Sequence, residues 1–135
     1  MADEGAADVE LAGTVWRLVE ARLFGEDGGE LPCPLGPEPM GVAIFGPDRM
    51  MAMATDGQVQ QPPGAGTRAF AAYTGIYRRD GTKLTTKVDG ASSPDMFADQ
   101  VRRVRFESAT RMVVLPVSRL FGQGSGLELV WERVG

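Results

Sequence analysis

The sequence predicts an all-β protein, an eight-stranded antiparallel up-and-down barrel that begins with a short N-terminal helical turn. Eighteen glycines and nine prolines are spread along the 135 residues and leave few windows long enough for a helix. Between these breakers lie runs of about 6–11 residues rich in Val, Ile, Phe, Tyr, Thr and Met, which is the composition of short strands. The runs follow one another in hairpin order, and eight such strands can close around one small ligand.

The position of each element follows from the breakers. Residues 1–8 are expected to be disordered, and one helical turn is expected over Asp8–Ala12. Asp80-Gly81 has hairpin-turn chemistry, and the glycine-rich segment 118–126 predicts a loop at the barrel rim. The eight strands are expected at 14–24, 41–45, 49–55, 68–78, 82–88, 100–107, 111–117 and 127–134. We expect residues 9–135 to form one domain, because a chain of this size buries about two-thirds of its surface, enough for one core.

Composition excludes several classes of function. The chain has no His and a single Cys, Cys33, so it lacks the imidazole of a His-based triad and the paired thiolates of a zinc site. We therefore expect no metal and no cofactor. A formal net charge of −4 disfavours nucleic acid and anionic membranes as partners. The acidic N-terminus lacks the basic region of a signal peptide, and no apolar run approaches the ~20 residues of a membrane span. A cytoplasmic location is therefore expected.

Alternation along two strands separates an inner face from an outer one. In the last strand the face expected to point inward carries Leu127, Leu129, Trp131 and Arg133. In the strand 100–107 the charged face, with Arg103, Arg105 and Glu107, is expected to meet solvent. Arg102 shares the opposite face with Val104 and Phe106, so we expect its guanidinium inside the barrel. In the strands 49–55 and 68–78 both faces are largely apolar, and parity alone does not choose between them.

Several short motifs carry a family resemblance through their order and spacing. They are Gly13–Val19 (GTVWRLV), Gly41–Met50 (GVAIFGPDRM), Ala72–Tyr77 (AYTGIY), Pro94, Gln100–Arg103 (QVRR) and Trp131–Arg133 (WER). Over most of residues 11–134 the chain resembles the bacterial lipocalin-like domain family, within the calycin group of eight-stranded barrels. The resemblance implies that the Arg133 guanidinium lies over the Trp16 indole where the barrel closes. Members often carry His where this chain has Thr85-Thr86, so the chemistry of that imidazole is not expected here.

The candidate site residues are those expected to line the barrel interior. Arg102 is the main polar candidate, because a buried Arg needs an acceptor: an internal carboxylate, backbone carbonyls, or a ligand carboxylate or enolate. Tyr73 would offer a phenol inside an apolar cavity, and these two are the catalytic candidates. The ligand-binding candidates, for which ordinary core packing is the alternative, are Met51, Met53, Tyr77, Phe106, Leu129 and Trp131. In resembling sequences the positions of Met51 and Met53 are often polar, which indicates an inward parity.

Three functions fit these observations. The first is a cofactor-free cyclase or isomerase acting on a polyketide-type intermediate of specialised metabolism, and we favour it because an acidic cytoplasmic carrier has less obvious work to do. Such an enzyme can rely on holding a reactive conformer and on Arg102 or Tyr73 polarising a carbonyl. The alternative is a non-catalytic carrier of a hydrophobic small molecule. The third is an interaction scaffold with a filled interior, and a homodimer is compatible with all three.

Overall fold

Short strands joined in hairpin order make up the structure. The computed structural model of the chain describes residues 9–25, 27–64, 66–116 and 126–135. The strands are β1 (Thr14–Phe24), β2 (Glu30–Leu31), β3 (Pro39–Phe45), β4 (Arg49–Asp56), β5 (Phe70–Asp80), β6 (Lys83–Ala91), β7 (Gln100–Ser108), β8 (Arg111–Pro116) and β9 (Gly126–Arg133). A 3-10 turn, Pro94–Met96, lies between β6 and β7. Within the described ranges no helix is long and apolar enough to cross a membrane.

The barrel closes between its first and last long strands. From β3 to β9 each strand pairs antiparallel with the next, and β1 pairs with both β3 and β9. The β1–β9 pairing extends from Trp16↔Arg133 to Phe24↔Gly126, with a register shift between Leu18 and Glu20. The two-residue β2 is an addition that pairs with the end of β1. The predicted eight-stranded antiparallel barrel is confirmed, and closure leaves its strands few free edges.

The ends of the elements differ from prediction in a few places. β3 begins two residues earlier than expected, at Pro39, and β5 begins at Phe70 rather than residue 68. The described part of Asp8–Ala12 contains no helix; instead the Thr14 backbone N–H donates to the Leu11 carbonyl across a tight turn, at 3.1 Å. The disorder predicted for 1–8 lies outside the described residues, as does all but the last residue of the loop predicted over 118–126.

In the strands that carry charged residues on one face, most side chains predicted to point into the barrel do so. In β7 the side chains of Arg102, Val104 and Phe106 are buried, whereas the charged face of that strand is exposed. In β9 the inward residues Leu127, Leu129 and Trp131 are buried, but Arg133 is exposed. In β4 and β5, where both faces are apolar, the core contains Met50 and Ala54, and Ala52, Tyr73 and Tyr77 pack against it. Ala71 is also buried.

One end of the barrel is closed around Trp16, whose side chain is fully buried. Its indole Nε1 donates to Thr14 Oγ1 at 2.7 Å, and that hydroxyl donates to the Leu11 carbonyl at 2.5 Å. The Phe106 ring lies 6.2 Å from the Trp16 ring, and the Arg79 guanidinium lies 4.9 Å from the centre of the Phe106 ring. We call Leu11, Thr14, Trp16, Arg79 and Phe106 the closed end.

The expected stacking of Arg133 on Trp16 is wrong. The two residues are backbone partners in register, but the Arg133 Nε donates to the carbonyl of Gly135 at 2.9 Å and its side chain is exposed. Arg79 provides the cation at this end instead, and its guanidinium also donates to the Val9 carbonyl. The cation–π contact at this end therefore joins an arginine of β5 to Phe106, and not an arginine of the last strand to Trp16.

Candidate functional site

An apolar cavity of about 60 Å³ lies inside the barrel. Fifteen residues line it, drawn from β3 to β9 and from the 3-10 turn, and thirteen of them are apolar. The two polar side chains are Tyr73 and Arg102. Small-molecule sites are usually apolar concavities with a few placed polar groups, and this cavity has that composition. Its present volume accommodates only a few water-sized molecules.

Methionines occupy much of the cavity wall: Met50, Met53, Met96 and Met112. A methionine side chain has three rotatable bonds and a polarizable thioether, so it fills irregular space and repacks at low cost. Drug-sized ligands occupy pockets of about 300–1,000 Å³, far more than the space now open. The cavity as it stands therefore has room only for a very small molecule, and a drug-sized one would fit only if these side chains moved.

Arg102 is fixed in place by neutral groups. The residue is 5% exposed. Its Nη2 donates to Gln100 Oε1 at 2.8 Å and its Nη1 donates to the Val101 carbonyl at 3.2 Å. The guanidinium also lies 5.8 Å from the centre of the Tyr73 ring, within the range of a cation–π contact. Gln100 sits two residues before Arg102 on the same face of β7, and it is itself buried.

Gln100 connects this arginine to the 3-10 turn. Its Nε2 donates to the carbonyls of Met96 and Ala98, at 3.2 and 3.3 Å. The amide is thereby oriented with its oxygen toward Arg102. Met96 at the end of the turn is buried and lines the cavity. One hydrogen-bonded chain thus runs from the turn through Gln100 to the guanidinium and fixes all three.

The charge of Arg102 has no ionic partner in the part of the chain that the structure describes. The ion pairs found there join other side chains at the surface, all at least 38% exposed: Arg22–Glu20, Arg49–Asp89, Arg105–Glu107, Arg111–Glu107 and Arg111–Glu132. No three His, Cys, Asp or Glu side chains of the described ranges gather into a metal site. Burial raises the pKa of the Cys33 thiol, which disfavours the nucleophilic thiolate.

Five of the eight predicted site residues line the cavity: Arg102, Tyr73, Met53, Leu129 and Trp131. The inward placement of Arg102 is confirmed by its burial. Met53 is half-buried and reaches the cavity although it alternates with the inward residues Ala52 and Ala54. The catalytic roles of Arg102 and Tyr73, and the ligand contacts of the other three, stay predictions.

The other three predicted residues lie elsewhere. Met51 is 47% exposed, so its expected inward parity is wrong, because the inward residue of that pair is Met50. Phe106 packs in the closed end. Tyr77 donates from its hydroxyl to the Gly46 carbonyl at 2.7 Å and meets the Phe45 ring edge-on at 5.3 Å. Burial, with the nearby carboxylates of Glu10 and Asp48, raises the pKa of Tyr77. It is therefore a packing residue with its hydrogen bond already made.

Sequence reasoning missed two groups of residues at the site. Gln100 could have been found, because it shares the parity of Arg102 and is the nearest polar side chain on that face. The other group consists of small residues that leave the space open: Ala43, Ala52, Ala54 and Ala71. Where both faces of a strand are apolar, a single sequence does not show which alanines point into the barrel. Only the register between strands shows that these alanines face one another.

Comparison with known proteins gives a match to a family model and a match to a solved structure. A family model described as a lipocalin-like domain matches residues 13–134. Among solved structures, a redesigned beta barrel is similar, with 16% sequence identity, 96% coverage of each chain and a TM-score of 0.46. No curated protein matches the sequence.

Proposed function

Since the chain belongs to the lipocalin-like domain family, we propose that it binds a small apolar molecule inside the barrel, next to Arg102. The observation that carries the proposal is the cavity, because thirteen apolar residues surround two polar side chains. Burial of apolar ligand surface would supply about 25 cal/mol per Å², and the polar groups would orient the ligand. The four cavity methionines would adapt the wall to the ligand's shape.

Binding is tested by filling the cavity from within. Ala52 lines the cavity, and its neighbour Met51 is 47% exposed. Ala52→Leu should displace a neutral environment-sensitive dye such as N-phenyl-1-naphthylamine, weakening its binding at least about tenfold. Met51→Leu, which exchanges one large apolar side chain for another one residue away on the outer face, should leave the dye affinity unchanged. Unaltered dye binding by Ala52→Leu, in a variant that remains folded by circular dichroism, would place the dye elsewhere and contradict the proposal.

The finer form of the proposal is a cofactor-free cyclase or isomerase acting on a polyketide-type intermediate. The adjacency of Arg102 and Tyr73 favours it, since a guanidinium and a phenol share one low-dielectric cavity. Donors fixed at a carbonyl or a developing enolate stabilise the charge that forms there. The apolar wall would hold a linear precursor in a folded conformer. The alternative is a carrier that holds the same kind of molecule without converting it.

Turnover separates the enzyme from the carrier. Candidate linear precursors are incubated with the protein, and ring closure is followed by chromatography and mass spectrometry. Removing one charge-stabilising donor typically costs about 10²–10³ in rate, so Tyr73→Phe or Arg102→Gln should lower conversion by that order while the precursor still binds. Tyr77→Phe is the matched control, because the hydroxyl of Tyr77 is engaged with Gly46. Full activity of both cavity variants would contradict the assignment. Equal binding of precursor and product without conversion would identify a carrier.

A further inference from the structure

The charge inside the cavity indicates the kind of ligand that fits there. Arg102 is 5% exposed and lines a wall that is otherwise apolar except for Tyr73. We propose that the ligand carries an anionic oxygen, a carboxylate or an enolate, which binds the Arg102 guanidinium while the apolar part of the ligand lies against the cavity methionines. This inference rests on the proposed binding function and specifies the ligand's chemical class.

The first step of the argument is electrostatic. Burying a cation is costly unless an opposite charge or several hydrogen bonds compensate it. The partners that the structure gives Arg102 are all neutral: the Gln100 amide oxygen, the Val101 carbonyl and the Tyr73 ring. They supply dipoles and a π-face but no negative charge. Within the described ranges, no carboxylate forms an ion pair with this guanidinium.

The second step is the hydrogen-bonding capacity that remains. A guanidinium has five N–H donors, and the hydrogen bonds to Gln100 and Val101 engage one on each Nη. The remaining donors suit an oxygen anion, because charge-assisted hydrogen bonds from Arg are stronger than neutral ones. A neutral carbonyl would meet the same donors but would leave the buried charge uncompensated.

The third step is preorganisation. Gln100 is held by the carbonyls of Met96 and Ala98, and it holds Nη2 of Arg102 in turn. A side chain already fixed by its surroundings loses little conformational entropy when the ligand arrives. A purely structural role for the same network would tie the 3-10 turn to the barrel. That role predicts a change in stability on mutation, but no preference between charged and neutral ligands.

The experiment compares matched ligand pairs by isothermal titration calorimetry at pH 7. The carboxylate arm pairs 4-phenylbutyrate with 4-phenylbutan-1-ol, and the enolate arm pairs 4-hydroxycoumarin with its neutral 4-methoxy ether. The wild-type protein should bind at least one anion about 10- to 100-fold more tightly than its neutral partner. The arm that shows the preference identifies which source of anionic oxygen the site takes.

Variants show whether Arg102 causes the preference. Arg102→Gln should equalise the affinities for acid and alcohol. Arg103→Gln removes the same charge from the exposed face of the same strand and should leave the preference intact. If Arg102→Gln fails to fold, Arg102→Lys retains the charge and should keep part of the preference, and the wild-type ligand pairs alone remain decisive.

The outcomes distinguish this inference from the function on which it rests. Equal wild-type binding of anion and neutral partner in both arms would overturn the inference and leave apolar ligand binding intact. If folded Arg102→Gln still preferred the anionic ligand over its neutral partner, the inference would also be overturned, because another cation would then bind the anion. Failure of all four ligands together with the neutral dye would count against the binding function itself, and against the inference with it.

Discussion

The hydroxyl of Thr14 joins two buried groups at the closed end of the barrel. It accepts from the Trp16 indole at 2.7 Å and donates to the Leu11 carbonyl at 2.5 Å. All three residues are at most 3% exposed. Thr14→Val replaces this hydroxyl with a methyl group of similar size. The indole N–H then has no acceptor, whereas the Leu11 carbonyl keeps the backbone N–H of residue 14.

The expected loss follows from these contacts. A buried donor without a partner costs about 1–3 kcal/mol, and the lost hydrogen bond to the Leu11 carbonyl adds about 1 kcal/mol. Thr14→Val should therefore lower the free energy of unfolding by about 2–4 kcal/mol. At about 2.1 cal/mol/K per residue, the unfolding entropy of 135 residues is about 0.3 kcal/mol/K. The corresponding fall in Tm is about 7–14 °C.

Urea unfolding, followed by tryptophan fluorescence and by far-ultraviolet circular dichroism, measures this loss if the two signals coincide. Thr14→Ser keeps the oxygen and loses one methyl, so it should cost only about 0.8 kcal/mol. Trp16→Phe removes the orphaned donor, and it should cost less in the Thr14→Val background than in the wild type. A Thr14→Val variant within about 0.5 kcal/mol of the wild type, or no worse than Thr14→Ser, would refute the reasoning, since it would show that the indole does not depend on this hydroxyl.

Three further predictions concern the cavity, a strand pairing and the loss of stability at low pH. Met112→Ala should enlarge the cavity and destabilise the fold by about 2–5 kcal/mol, and saturating toluene should restore part of the lost Tm. Gly75→Ala should destabilise by at least about 1–3 kcal/mol, because a Cβ there would lie 2.0 Å from the Lys87 carbonyl oxygen, beside a register shift in β5. The backbone N–H of Gln58, with smaller contributions from neighbouring side chains, lowers the pKa of Asp56. The stability that Asp56 contributes is therefore present above the pKa of the unfolded chain and lost as pH falls through the folded value. Asp56→Asn should flatten that part of a pH–stability curve measured by urea unfolding.

Each of these changes has a matched control. Met40→Ala alters a methionine that is 48% exposed, so it should lower the free energy of unfolding only slightly, and toluene should not raise its Tm. If toluene raised the Tm of Met40→Ala as much as that of Met112→Ala, the effect would not come from an enlarged cavity. A Cβ at Gly126 would meet no atom within 4 Å, so equal losses from Gly126→Ala and Gly75→Ala would refute the steric account. Asp99→Asn changes an exposed aspartate and should leave the pH dependence of stability unchanged. If the wild type, Asp56→Asn and Asp99→Asn all lost stability identically at low pH, the contribution assigned to Asp56 would be refuted.

The sequence predicts which side chains point into the barrel most reliably in strands that carry charged residues on one face. In β7 the exposed set that includes Arg103 and Arg105 leaves Arg102 inside, and the structure places it there. In β4 the run of methionine and alanine is apolar on both faces, so no local pattern separates Met50 from Met51. Pairing with the neighbouring strands decides it: Ala52 is opposite Ala43 on one side and Tyr73 on the other.

Two features, one at the closed end and one in the cavity, depend on packing that a single sequence does not reveal. The resemblance pairs Arg133 with Trp16, and register does align them. The side chain at the strand end nevertheless turns to the Gly135 carbonyl, and Arg79 packs on Phe106 instead. The volume of the cavity is the second such feature, because it depends on the rotamers of flexible methionines. Both are decided by side-chain conformations in three dimensions.

The most direct test of ligand binding inside the barrel uses the methionine methyl groups as reporters. With ¹³C-methyl methionine, the signals of Met50, Met96 and Met112, which are buried in the cavity wall, are followed together with those of the exposed Met40 and Met51 during titration with 4-phenylbutyrate or the neutral dye. If the ligand binds in the cavity, the chemical shifts of the three cavity methyl groups should change saturably, and those of the two outer methyl groups should not change. Shifts confined to Met40 and Met51, with the cavity methyls unmoved, would contradict binding in the cavity.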